Sequence, residues 1–166
     1  MTKTTLFAGA ALSLLLPAAA AAQQTRDAGP DDHLLFNVSD VEWRDGPASF
    51  ESGARMAILE GNPAEPGVFT MRIWMPAGFR ISPHWHPNPE RVTVLSGTFH
   101  LGAGEVLRAD VTTALRPGSY TAMPPGMRHY AIAEGETVIQ LTSTGPWEIT
   151  YVRPEDDPRT RKADDR

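Results

Sequence analysis

From Arg55 onward the chain is cut into short runs rich in Val, Ile, Thr, Phe and Tyr. Each is closed by glycine or proline, at intervals of about 8–12 residues. Arg55–Glu60 ends at Gly61-Asn62-Pro63, Val68–Met75 at Pro76-Ala77-Gly78, Glu90–Ser96 at Gly97, and Thr98–Leu101 at Gly102-Ala103-Gly104. Ser119–Met123, His129–Ala133, Glu136–Ser143 and Trp147–Val152 continue the pattern. Runs of this length suit strands joined by tight turns, and the spacing predicts an all-β protein, an antiparallel barrel or jelly roll. Gly104–Leu115 is the one stretch that could form a short helix, and Val111-Thr112-Thr113 argues against it.

Composition removes several function classes. The 166 residues contain no cysteine, which excludes disulfide scaffolds, thiolate zinc sites, iron–sulfur clusters and thiol nucleophiles. A net charge of −5 lacks the electrostatic footprint of a nucleic-acid binder. The 41% apolar content suffices for one packed core. There is no Gly-x-Ser-x-Gly or comparable nucleophile arrangement.

The ends differ in character from the middle. Lys3, the apolar run Leu6–Leu16 and the alanines 18–22 have the layout of a secretory signal peptide at residues 1–22, with cleavage expected after Ala22. Removal takes away one lysine and no acid, leaving a mature charge of −6. A lipoprotein anchor would need a cysteine. No later apolar stretch is long enough to span a bilayer, so a periplasmic or secreted protein free of the membrane is expected. Residues 23–33 read as a flexible lead-in, 34–153 as the folded domain, and 154–166 as a disordered polar tail.

Two of the five histidines fall in Pro83-His84-Trp85-His86-Pro87-Asn88-Pro89-Glu90. The prolines exclude a helix, and in an extended chain His84 and His86 point to one face. Glu90 shares their parity, but Pro87 and Pro89 break the ladder, so parity alone does not place it. Two imidazoles and a carboxylate form a nitrogen/oxygen set suited to Fe, Mn, Co, Ni, Cu or Zn. Trp85, between the two histidines, should face away from them. Trp74, Trp85 and Trp147 are all expected to line the core.

Gly78, His84, His86, Glu90 and Gly97 form one spaced frame, and Gly118, Pro124, Gly126 and His129 form a second. Together they resemble the paired motifs of the cupin superfamily. The first matches GxxxxxHxHxxxExxxxxxG without a gap; the second matches GxxxxxPxGxxH, with Ala133 where the family usually has asparagine. The HWHPxxERVTVLSG core is similar to that of small single-domain bacterial cupins. The resemblance implies a double-stranded β-helix (jelly-roll) barrel holding one divalent transition metal on His84, His86, Glu90 and His129, with coordination positions left for a small-molecule substrate or ligand. It implies dioxygenase-, decarboxylase- or isomerase-type chemistry, with a non-catalytic metal- or ligand-binding sensor as the alternative, since similar domains form the sensing half of zinc-binding anti-sigma factors. A structural barrel ranks third, because all four motif ligands are intact. A homodimer paired through sheet edges is the expected assembly.

Around the motifs, His100 is expected to pack or lie at the surface, and His33 to be exposed. Arg80, Arg91 and Arg128 could clamp a carboxylate but read first as surface charges. Tyr130 and Gln140 could orient a ligand or pack within the sheet.

Overall fold

The computed structural model describes residues 33–161, so the signal peptide expected at 1–22, nearly all of the lead-in and residues 162–166 lie outside the described residues. The described residues form nine strands: β1 (Arg44–Asp45), β2 (Arg55–Glu60), β3 (Gly67–Met75), β4 (Arg80–Trp85), β5 (Glu90–Ala103), β6 (Thr113–Leu115), β7 (Tyr120–Met123), β8 (His129–Gly145) and β9 (Thr150–Tyr151). All pairings are antiparallel. One sheet path runs β1-β2-β3-β8-β4-β9, while β5 pairs with β6, β7 and β8.

The 17-residue β8 organises the barrel. Its first part pairs with β4 and its last nine residues with β3, while β5 lies along its other edge. Inward residues alternate as a half-buried strand requires: Phe69, Met71, Ile73 and Met75 on β3, and Ile139 and Leu141 on β8, with Val92, Val94 and Phe99 from β5. Trp74 therefore falls on the outer face of β3. Trp85 also lies outside, 5.9 Å from the Arg128 guanidinium, and only Trp147 of the three packs against the core.

Three local expectations change. Gly97 does not end a strand: at φ +75° it sits in a register shift, and β5 continues for 14 residues. A glycine there absorbs an extra residue as a bulge where a side chain would strike Glu136 O and Thr137. Gly135 is likewise absorbed inside β8. Gly104–Leu115 holds no α-helix; it contains a 3-10 turn at Ala109–Val111 and then β6, where the β-branched residues fit an extended chain.

The polar C-terminal segment is folded as far as Arg161. Two 3-10 turns, Pro154–Asp156 and Pro158–Thr160, lay it back on the domain. Arg159 donates to Asp157 and to Ile149 O (3.0 Å), and Arg161 pairs with Glu51 at 2.6 Å. The guanidinium of Arg159 holds the Asp157 carboxyl below the usual range. Tyr151 Oη donates to Ser49 O at 2.7 Å, so β9 also grips the loop before β2. Among the described residues no helix is long and apolar enough to cross a membrane.

Candidate metal centre

The strand register builds the site. His84 of β4 lies directly opposite His129, the first residue of β8. His86 follows β4 by one residue and Glu90 opens β5. The intervening turn is pinned from outside: Asn88 Nδ2 donates to Thr144 O (2.8 Å) and Ser143 Oγ to Pro89 O (2.8 Å). Gly126 N donates to His86 O at 2.8 Å, tying the second motif to the first. Those bonds return Glu90 to the histidines, which strand parity alone does not.

The four side chains converge in the barrel interior and are 3–6% exposed. Ring centroids lie 4.2 Å apart for His84–His129, 4.9 Å for His84–His86 and 5.3 Å for His86–His129. Glu90 Oε2 is 3.4 Å from His86 Nε2 and 3.3 Å from His129 Nε2. Donor atoms bound to one ion at about 2.0–2.1 Å lie roughly 3.0–3.4 Å apart, the separation seen here between Glu90 and two of the histidines.

Each imidazole is oriented by the main chain. The Nδ1 of His84 meets Ser82 O (2.7 Å), that of His86 meets Glu148 O (2.7 Å) and that of His129 meets Met127 O (3.0 Å). A carbonyl only accepts, so each Nδ1 carries the proton and donates, leaving the Nε2 lone pair free. Burial is the main influence holding His84 well below its usual pKa, with His129 and His86 adding to it. Burial also lowers His86, against the opposing pull of Glu90. Both rings are neutral at pH 7. The Nε2 atoms of His86 and His129 face the Glu90 carboxyl, with the His84 ring beside them. His86 Nε2 is buried without a hydrogen-bond partner despite the nearby Glu90 oxygen. Burying such an atom is costly unless something donates to it or coordinates it. A cation would satisfy that nitrogen, and the three histidines form a cluster able to hold one.

The remaining wall is apolar, including Ile73, Ile81, Phe99 and Leu141, and the cavity left is about 20 Å³. Trp147 stacks on the His86 ring, and Phe50 stands edge-on to Trp147 at 6.3 Å. Neither aromatic is in a motif, and no spacing in the sequence points to Phe50.

Other polar residues of the motif region lie elsewhere. Arg80, Arg91, Arg128 and His33 are exposed. His100 meets Thr112 Oγ1 (3.1 Å) and Glu134 Oε2 (2.8 Å), away from the centre. Tyr130 donates to Arg108 O, and Gln140 accepts from Arg72 on a neighbouring strand, so both serve the sheet and its loops.

A family model described as the ChrR cupin-like domain matches residues 31–148. No curated protein matches the chain. Among solved structures, the polyketide cyclase RemF from Streptomyces resistomycificus aligns with TM-score 0.64 and 15% identity, over 76% of this chain and 90% of that one. A candidate acetylacetone dioxygenase from Methylibium petroleiphilum PM1 gives 0.59 and 23%, over 76% and 85%. An RmlC-like cupin from Shewanella frigidimarina gives 0.52 and 19%, over 68% and 90%. At these identities the likeness is one of fold, the cupin jelly roll.

Proposed function

The chain belongs to the ChrR cupin-like domain family, and on that premise we propose that His84, His86, Glu90 and His129 hold one divalent transition metal that activates a small oxygen-bearing substrate. One observation carries the reading: three imidazoles, each turned by an Nδ1 bond to a carbonyl, converge with the Glu90 carboxyl in a buried space, and one ring nitrogen there, His86 Nε2, has no partner. When bound, the ion supplies Lewis acidity of the kind used in dioxygenase-, decarboxylase- and isomerase-type reactions. The chain's own groups hold the three rings in the ligating tautomer through Ser82, Met127 and Glu148 carbonyls, and apolar walls keep bulk water out. The signal-peptide layout read at Met1–Ala22 supports a periplasmic or extracellular location.

A second reading, a non-catalytic metal- or ligand-binding cupin, is favoured by the size of the cavity. About 20 Å³ has room for a water-sized guest and no more in this conformation.

Elemental analysis of protein purified without chelating resin, from cells supplied with Fe, Mn, Ni and Zn, is expected to find about one metal per chain. Less than about 0.2 equivalents, or full loading of a His84→Ala/His129→Ala variant that still folds, overturns the assignment. Oxygen uptake with diketones, flavonols and dicarboxylates then separates the two readings. A tight, exchange-inert tetrahedral zinc site without turnover favours the sensor.

A further inference from the structure

A second, larger hollow lies just outside the barrel centre. It measures about 470 Å³, within the range of small-molecule sites, whereas the cavity at the histidines measures about 20 Å³. Met56, Ile58 and Met71 from β2 and β3 form one side, and Trp147 and Ile149 form the other. The residues around the two spaces have a single member in common, Trp147.

Trp147 is suited to be a movable partition. Most of the inner cavity is walled by strands of the sheet, whereas Trp147 stands in the connection between β8 and β9. Its main-chain N–H is held by Pro63 O (2.7 Å), so opening requires the indole to turn out of its contacts with Phe50, Phe69 and His86. Its side chain is only partly buried, yet its Nε1 is shielded from solvent with no hydrogen-bond partner. An N–H in that condition is a ready donor to an oxygen brought in by a guest. Among the described residues lining the outer hollow, the cation Arg159 is already engaged with Asp157 and Ile149 O, and Glu148 is an acid, so the surface is more apolar than polar and is no anion site.

We propose that the hollow between β2 and the 146–150 connection binds the hydrocarbon or aromatic body of a neutral small molecule, and that displacement of Trp147 admits its oxygen-bearing end to the histidine centre. The first half stands on the hollow alone. The second rests on the metal reading above and narrows its substrate class to hydrophobic molecules with one oxygenated end.

The test uses the neutral fluorophore N-phenyl-1-naphthylamine with the mature protein, as purified and after stripping with chelator. Saturable binding at about one per chain is expected in both forms, weakened at least about tenfold by Ile58→Trp, which fills the hollow from its wall. Ala64→Trp, at an exposed position on the same hollow, serves if Ile58→Trp misfolds by near-ultraviolet circular dichroism, and is expected to act in the same direction. Unsaturable binding, or binding unchanged in the folded variants, overturns the pocket. Metal content is measured on the same samples. Fluorophore binding without metal sinks the metal reading and leaves the pocket standing; metal without fluorophore binding does the reverse. For the partition, removal of metal by 4-(2-pyridylazo)resorcinol is expected to accelerate at least about tenfold in Trp147→Ala and to return toward the wild-type rate in Trp147→Phe. Equal rates in all three proteins overturn the gating role.

Discussion

The indole of Trp147 lies on the imidazole of His86 with ring centroids 5.0 Å apart and planes 19° from parallel. The adjacent residue, Glu148, accepts the Nδ1 proton of the same imidazole, so two consecutive residues fix both the plane and the rotation of one ring. Trp147 also packs edge-on against Phe50 and Phe69. Trp147→Ala is therefore expected to lower stability by about 3 kcal/mol in urea unfolding, with Trp147→Phe recovering most of it. An unchanged midpoint in the alanine variant would show that the stack carries no weight.

Glu90→Gln separates stability from function. An amide at this position can donate to the orphaned His86 Nε2. The metal-free variant should gain about 1 kcal/mol over metal-free wild type, while metal affinity falls at least about tenfold. Calorimetric melting and a competitive chelator titration check the two halves, and a loss of both together contradicts the arrangement.

Tyr151→Phe removes a buried hydrogen bond to Ser49 O and leaves the ring in place. Burial pushes the Tyr151 phenol above its ordinary range, so it remains a donor under alkaline conditions too. A cost of about 1 kcal/mol is expected, with faster amide exchange concentrated in residues 46–54. Uniform exchange changes across the barrel would argue against this bond as the anchor of that loop.

Two glycines with similar backbone angles should respond differently to alanine. Gly97 (φ +75°) has no room, since a Cβ meets Glu136 O and Thr137, whereas Gly118 (φ +88°) has nothing within 4 Å. Gly97→Ala is expected to cost roughly 3–5 kcal/mol and Gly118→Ala roughly 1–2 kcal/mol, measured by urea unfolding. Equal penalties would mean that backbone angle alone governs both.

With metal removed, acid should destabilise the barrel before the carboxylates titrate. His84 and His86 are held below their unfolded value near 6.5, so the unfolded chain takes up protons first as pH falls. Stability is then fully present above about pH 7 and declines below about 6.5, by up to about 1.4 kcal/mol per pH unit for each histidine. Urea midpoints at pH 7.5, 6.5 and 5.5 give the slope, and a flat profile would put charged histidines in the folded state.

A two-residue period sets His84 and His86 on one face, while Glu90 and His129 are reached only through the resemblance to the cupin motifs. The jelly roll follows from strand-length runs between turn residues. What escapes is tertiary. Gly97 and Gly135 read as strand ends because a glycine in a turn and a glycine in a bulge have the same local signature; only the β5–β8 pairing tells them apart. Tyr130 looks like a site residue by adjacency to His129, yet the strand's alternation sends it to the opposite face, over Gly102. Phe50 reaches the centre through a loop whose anchors, Tyr151 and Arg161, lie about a hundred residues away in the chain.

The three imidazoles are oriented by peptide oxygens of residues 82, 127 and 148. No side-chain replacement at those positions deletes an acceptor, so an alanine scan would pass over them in silence. The centre's orientation is encoded in the path of the backbone, leaving Ser82, Met127 and Glu148 free to drift in identity. Only a change that moves the chain itself, such as a one-residue insertion or deletion beside a histidine, strikes this layer. Graftable versions of the centre must therefore carry over loop geometry and not merely the four side chains.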